Sequence, residues 1–530
     1  MLKIMNLRLG FSKASNPLKF SLLLITLSSL NASAQLLYPE AVKNRTGFYN
    51  NYFTHPDSAL FYARKLSSDP ANASFLRQAI HDDVFLMFTD EIKQKFKDQA
   101  LKDKDPHWKK KYDEFLAPIY NTVYKLSTDT NAVLANTAKP IYLWTNVHRI
   151  RQNIEDTKDL QKSGNKPGPS LVKDKAVTTF STPGNSADIA KIKQLVQEFI
   201  ASGQSQKDPY DNRWATYALL TYEDIAQDKR LKVQADDLIT ATMTSTLSAV
   251  QNIDVNSAPN IALKKRAWNR YQYATANYLK ANALLAAGNS AAAMTYYKTA
   301  ADYSPDLIDL DNPNEYSTEV YLFANRQKEL FQSTYVDKLK KIGNKEQMLS
   351  ALTQMALRNP VDHKTALSTY YAANFAQQES FKSYWRKAIN TGLPKAPAVQ
   401  MQKTDGSTYS SIEKAGKWIL VDFWGTWCGP CREEHPALET LYKKSIALPS
   451  ANLDIITIAC NDTIEKVRAY MDEFKYTYPV AMSDRKLTKA YNVHGYPTKA
   501  LITPEGNFVV IPFNSDWNKF IERYTETDLF

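Results

Sequence analysis

Two cysteines, Cys428 and Cys431, flank Gly429-Pro430 and follow an apolar run, Trp418-Ile419-Leu420-Val421-Asp422-Phe423-Trp424, that reads as a strand. The residues after them read as a helix, which puts the pair at a helix N-terminus. Unpaired N–H groups and the positive dipole end stabilise a thiolate there, and a thiolate is the species that attacks a disulfide. Cys428 is therefore the expected nucleophile. Cys431, one turn further in, can attack back and release the mixed disulfide. Pro430 limits the backbone between the two sulfurs and donates no N–H. A zinc site would need two more ligands; Cys460 is the only other cysteine, and His435 and His494 stand apart, so neither metal nor cofactor is expected. A purely structural bridge over so short a loop would constrain little of the unfolded chain.

The segment from Val421 to Cys431 resembles the active site of the thioredoxin superfamily. Arg432-Glu433-Glu434-His435-Pro436 narrows the resemblance to the TlpA/ResA branch of exported thioredoxin-like proteins, through the Arg after the second Cys, the Glu three residues after it and the Pro five after it. Val493-His494-Gly495-Tyr496-Pro497-Thr498 resembles that family's cis-proline loop, and the match covers roughly residues 391–530. The resemblance implies a redox disulfide between Cys428 and Cys431, a buried proton-handling acid at Asp422 and a second acid at Glu434. It also implies client contact through Trp427, Gly429, Pro430, Tyr496 and Pro497, with Tyr496-Pro497 cis. Glu433 reads as a helix-face acid, His494 as a loop residue and Cys460 as a small buried hydrophobe.

Gly-Pro between the cysteines resembles the reducing members. The expectation is a thiol-disulfide oxidoreductase working as a reductase on protein clients, with electrons from a membrane thiol carrier. The rival readings are a disulfide isomerase or oxidase, and a client-binding or scaffold protein whose helical part carries the main function.

The elements that must hold this site form an α/β thioredoxin-like domain over 391–530. A boundary lies at Gly392-Leu393-Pro394-Lys395-Ala396-Pro397, followed by a short strand near Val399, the Asp405-Gly406 turn, strand 418–424, a helix from Gly429 kinked by Pro436, and strand 453–459. Asp462 and Glu465 have capping-box spacing for a helix to Phe474. Strand 498–503, a turn at Pro504-Glu505-Gly506-Asn507, strand 508–511 and a last helix complete the sheet. A fragment beginning near Leu393 is expected to fold alone.

Before it, residues 35–390 read as an α-helical domain of unassigned ligand, with apolar residues at three- and four-residue spacing such as Leu76-Ile80-Val84-Met87-Phe88. The polar interval Lys162–Asn185 divides it into halves 35–161 and 186–390. Ala281, Leu284, Gly288-Asn289-Ser290, Ala293, Tyr297, Ala300 and Pro305 fall at tetratricopeptide spacings near 274–305, so this domain could bind proteins; one unit alone reads equally well as an ordinary helical hairpin.

Residues 1–34 read as a cleaved export signal: Lys3, Arg8, Lys13 and Lys19 without an acid, the apolar stretch Phe20–Leu30, and Ala32-Ser33-Ala34 as the cleavage site. A periplasmic location follows, with a retained membrane anchor as the alternative. Removing those four charges leaves +7 of the formal +11. No block of like charge stands out, which excludes nucleic acid as a competitive partner. All three cysteines lie beyond residue 427, so an oxidising compartment would staple nothing in the helical part, and burial alone must hold it.

Overall fold

The computed structural model describes residues 39–69, 72–83, 88, 90–103, 108–162, 186–203, 213–251, 260–305, 331–342, 344–448, 450, 452–491, 493, 495–513 and 515–525. Residues 1–34, expected to be an export signal, residues 163–185 of the polar interval, His494, and Val84 and Met87 of the helical pattern lie outside the described residues. The chain forms two compact units, one of residues 1–248 with 319–327, the other of 249–318 with 328–530.

The first unit is helical: α1 (Pro39–Asn51), α2 (Pro56–Ser67), α3 (Ala73–Gln78), α4 (Asp90–Asp103), α5 (Trp108–Ser127), α6 (Ala132–Lys162), α7 (Ser186–Gly203), α8 (Arg213–Ile225) and most of α9 (Lys232–Gln251). The long α6 packs on α5, α7 and α8, so the helices on either side of residues 163–185 share one core. The units part near residue 248, inside the second of the two expected halves. Within this core His148 and Arg151 of α6 close on Asp224 of α8 at 2.9 and 2.6 Å.

The second unit begins as a run of helices, α10 (Asn260–Ala286), α11 (Ser290–Tyr303), α12 (Phe331–Ile342), α13 (Lys345–Arg358), α14 (Pro360–Asn374) and α15 (Phe381–Gly392), each packed on the next. The α10–α11 turn is made by Gly288 at φ +80° and by Asn289, whose side chain caps α11 by accepting from the Ala292 N–H. Ala281, Ala293, Tyr297 and Ala300 are buried where the two helices meet, as the small-residue spacing predicts.

The sheet follows. β1 (Gln400–Gln402) and β2 (Thr408–Ser410) form an antiparallel pair; β3 (Trp418–Trp424), α16 (Gly429–Ala447), β4 (Leu453–Ala459), α17 (Ile464–Phe474), β5 (Val480–Met482), α18 (Lys486–Ala490), β6 (Thr498–Ile502), β7 (Phe508–Ile511) and α19 (Trp517–Thr525) build a five-stranded sheet of order β5-β4-β3-β6-β7. β3 pairs parallel with β4 and antiparallel with β6, and this central place makes it buried on both faces. α16 starts at Gly429, as expected, and continues through Pro436 to Ala447.

One hydrophobic core joins the helices to the sheet. It runs from Ala281 and Tyr297 through Leu352, Trp385 and Ile389 to Leu420, Trp424, Cys431 and Phe520. The C-terminal α19 makes the joint: the Trp385 indole donates to the Tyr524 carbonyl at 3.2 Å, the Tyr524 hydroxyl to the Leu357 carbonyl at 3.0 Å, and Lys364 Nζ to the Arg523 carbonyl at 2.6 Å. The Pro/Gly segment at 392–397 therefore marks a change of secondary structure and not the edge of a core.

A dithiol beside a buried charge triad

Cys428 is the N-cap of α16, and the Cys431 N–H points at its Sγ at 3.3 Å. The two cysteines are joined as a disulfide with Cα atoms 5.4 Å apart. Both are buried, while Gly429, Pro430 and Trp427 are exposed, Trp427 at 55%. When the disulfide is reduced, the Cys428 sulfur stays at the end of the helix, where N–H donors and the dipole favour its thiolate.

Trp427 folds back over the end of β4. Its indole donates to the Cys460 carbonyl at 3.2 Å and meets the Tyr496 ring edge-on, centroids 5.4 Å apart. Gly425 makes this possible, because a Cβ there would stand 2.5 Å from the indole nitrogen. The Tyr496-Pro497 peptide is cis. The Cys460 thiol is buried beside the Tyr496 hydroxyl, and burial pushes the thiol up and the phenol up to about 12, so both keep their protons at neutral pH.

Asp462 does not cap α17. Thr463 does, its side chain accepting from the Lys466 N–H, while Asp462 turns back to accept the Thr426 N–H at 2.7 Å and so fixes the residue before Trp427. These residues, with Asn461, Lys466 and Arg485, line a cleft of about 320 Å³ beside Trp427.

The other side of the dithiol carries charge. Asp422 in the middle of β3 is 1% exposed and lies on the face of Leu420 and Trp424, with α16 over it, while Val421 and Phe423 join the core of the opposite face. Its cross-strand partner in β6 is Lys499, itself 5% exposed. Lys499 Nζ stands 3.1 Å from Asp422 Oδ1 as a buried ion pair. The same ammonium donates to Glu434 Oε2, one turn beyond Cys431, and lies 5.2 Å over the Trp517 ring. Glu433 is exposed and stays apart. Burial pushes the Asp422 carboxyl up against the pull of Lys499; burial pulls Lys499 down, but its two carboxylates outweigh that and hold it up.

His435, the next residue of α16, is buried against the edge of Trp424, centroids 4.5 Å apart, with Nδ1 at 2.9 Å from the Tyr470 hydroxyl. Burial first, then the positive charges of Lys499 and Arg432, push it down to about 3, so the ring is neutral. Among the described residues no group of three acidic, His or Cys side chains could hold a metal.

With this geometry stand the comparisons. Residues 394–511 match the AhpC/TSA family. The thiol-disulfide oxidoreductase ResA of Bacillus subtilis (strain 168) is 31% identical over 157 residues, which is 29% of this chain and 81% of that one. The chain belongs to the ResA-like thiol-disulfide oxidoreductases of the thioredoxin family. The thioredoxin-like protein YneN of the same organism is 29% identical, covering 28% of this chain and 87% of its own. The crystal structure of a thioredoxin-family thiol:disulfide interchange protein from Chlorobium tepidum TLS is 28% identical, covers 26% of this chain and 97% of its own, and gives a TM-score of 0.23. This oxidoreductase has a helical N-terminal part outside the matched residues.

The structure brings Cys428, Cys431, Asp422, Glu434, Trp427, Tyr496 and Pro497 to one end of the sheet. Sequence reasoning missed Lys499, Asp462 and Gly425. Lys499 left a signal: it is the only charged residue of β6, just as Asp422 is the only one of β3. His435, taken as an isolated histidine, belongs to the packing behind the dithiol.

Proposed function

We propose that this enzyme is an exported disulfide reductase that acts on protein clients through Cys428 and Cys431. The observation that carries the reading is Cys428 at the N-cap with its sulfur facing the Cys431 N–H, while Cys431 is 1% exposed. Cys428, the N-capping sulfur beside the exposed Trp427, Gly429 and Pro430, attacks, and Cys431, one turn further in, resolves. Asp422 and Glu434 handle the proton of Cys431; Trp427, Gly429, Pro430, Tyr496 and Pro497 receive the client's extended chain. Residues 1–34 direct export, a membrane thiol carrier returns the electrons, and the helical part, from 35 to 390, adds client choice.

Supporting the direction is Gly-Pro between the cysteines, the pair found in reducing members that the sequence resembles. Cys431→Ser in the full-length protein tests the roles: it should collect clients as mixed disulfides through Cys428, while Cys460→Ser leaves turnover as it was. Trapping that needs Cys431 instead would reverse the assignment. A dithiol potential near roughly −270 mV fits a reductant, and one near roughly −120 mV would make the enzyme an oxidant.

A further inference from the structure

The exchange chemistry of the dithiol makes no use of the cleft beside Trp427. Its volume of about 320 Å³ lies at the low end of ligand pockets, about 300–1,000 Å³, which is room for one or two side chains of a client. Trp427 is one of its walls, and Cys428 follows directly in the chain. Three residues of extended chain span about 10 Å, so residues next to the client's own cysteine come within reach of the cleft when that cysteine is held at Cys428. The wall is fixed in place, because Asp462 accepts the Thr426 N–H and the Trp427 indole is bound to the Cys460 carbonyl. A large aromatic ring held in position and more than half exposed is a preformed contact surface.

The lining carries charge that the fold does not use. Lys466, in the first turn of α17, and Arg485, just before α18, both face the cleft and are exposed. Their hydrogen bonds among the described residues are made by backbone groups, which leaves the ammonium and the guanidinium to a ligand. Among the described lining residues the acid is Asp462, and its carboxylate is already committed to the N–H groups of Thr426 at 2.7 Å and Thr463 at 3.0 Å. Two cations against one acid leave the lining at +1. Arg485 stands at φ +53°, a turn that glycine takes freely, so the chain carries a guanidinium there at a conformational cost. A guanidinium and an ammonium beside an aromatic wall match a carboxylate on a short side chain, since both make charge-assisted hydrogen bonds to it.

We propose that this cleft is a client subsite that takes an aspartate or glutamate side chain lying one to three residues from the client cysteine, with Lys466 and Arg485 as its specificity-determining residues. The proposal rests on the reductase reading above and names its substrate class, disulfides in acidic segments of protein. Binding of the carboxylate precedes the exchange. The Cys428 thiolate then forms the Cys428–client bond while the client disulfide breaks, and one client sulfur leaves as a thiolate. Cys431, as a thiolate, attacks Cys428 Sγ, so that the Cys428–Cys431 bond forms and the second client sulfur leaves as a thiolate with the pair of electrons. The subsite takes part in none of these bond changes; it favours the encounter from which they start.

The test uses reduced full-length enzyme and short peptides dimerised through one disulfide, identical except for Glu, Gln or Lys at a position one to three residues from the cysteine. The thiols released in a single turnover are alkylated after acid quenching and counted by mass spectrometry, and the readout is the ratio of the second-order rate constants for the Glu and Gln peptides. At low ionic strength this ratio should be about fivefold or more, with the Lys peptide slower than both. Lys466→Gln/Arg485→Gln should bring the ratio close to one, and Lys466→Glu/Arg485→Glu should reverse it in favour of the Lys peptide. Lys382→Gln/Lys489→Gln, which removes the same charge from exposed places outside the cleft, should keep the wild-type ratio. A wild-type ratio near one, or a ratio that the cleft variants leave as it was, overturns the proposal and leaves the reductase reading in place. A ratio that falls as far in Lys382→Gln/Lys489→Gln overturns it too, because the preference would then come from overall charge. If the charge-reversed variant does not fold, Lys466→Gln/Arg485→Gln decides. A reduced enzyme that cleaves none of the peptides removes the reductase reading and the proposal with it.

Discussion

His435→Asn isolates a single linkage between protonation and stability. The ring is 1% exposed, packed edge-on to Trp424 and next to Lys499 and Arg432, and its pKa falls from 6.5 to about 3. A histidine with a depressed pKa stabilises the fold above its unfolded pKa, and that contribution is lost as pH falls, because the unfolded chain takes the proton first. The whole shift corresponds to about 5 kcal/mol, of which about 2 kcal/mol is lost between pH 7 and pH 5. Asn places its side-chain amide near the position of Nδ1 and keeps a hydrogen-bond partner for the Tyr470 hydroxyl, but it has no proton to take up. Hydrogen exchange of peptides from β3 and α16, in the oxidised full-length protein and corrected for intrinsic rates, reads the local stability at both pH values. Asp422, raised by burial, acts in the opposite direction, favouring the fold at lower pH, and it does so in both proteins, so the difference between them belongs to His435. The expected result is a loss larger by about 2 kcal/mol in the wild type. Equal losses would refute the argument, because they would mean that the ring is protonated in the fold or solvated.

Two further outcomes follow from the packing. Trp385→Ala should lower the stability of the sheet-bearing unit by about 3–5 kcal/mol, and a fragment starting at Leu393 should melt below one starting at Asn344, since only the longer one keeps the partners of Tyr524 and Arg523; equal melting temperatures would show that α19 does not need the helices. Gly425→Ala should push the Trp427 indole off the Cys460 carbonyl, so the Trp427 emission, isolated by difference against Trp427→Phe, should move to longer wavelength, and an unchanged spectrum would mean that the backbone gives way instead.

How much of this was readable beforehand depends on how far along the chain each interaction reaches. The Asp422 strand and the dithiol lie within fourteen residues, Trp418 to Cys431, with the helix starting between the cysteines, and periodicity with one N-cap rule is enough to place them. Asp462 was misread by a local rule: Asp462 and Glu465 have capping-box spacing, but Thr463 is one residue closer to the helix and takes the cap, which leaves Asp462 free to hold Thr426. The boundary at 392–397 was read from composition, which reports where helices give way to strands. The core ignores that point because α19, at the far end of the chain, folds back onto α13, α14 and α15. Lys499 lies 77 residues from Asp422, and only the pairing of β3 with β6 makes them neighbours. A charged residue alone in an apolar strand must nevertheless be matched somewhere, since the interior cannot carry it unpaired. Two such strands in one small sheet, one with an acid and one with a lysine, are therefore already a prediction of register. Local sequence identifies the dithiol, and the count of lone buried charges, matched across strands, identifies the ion pair buried beside it.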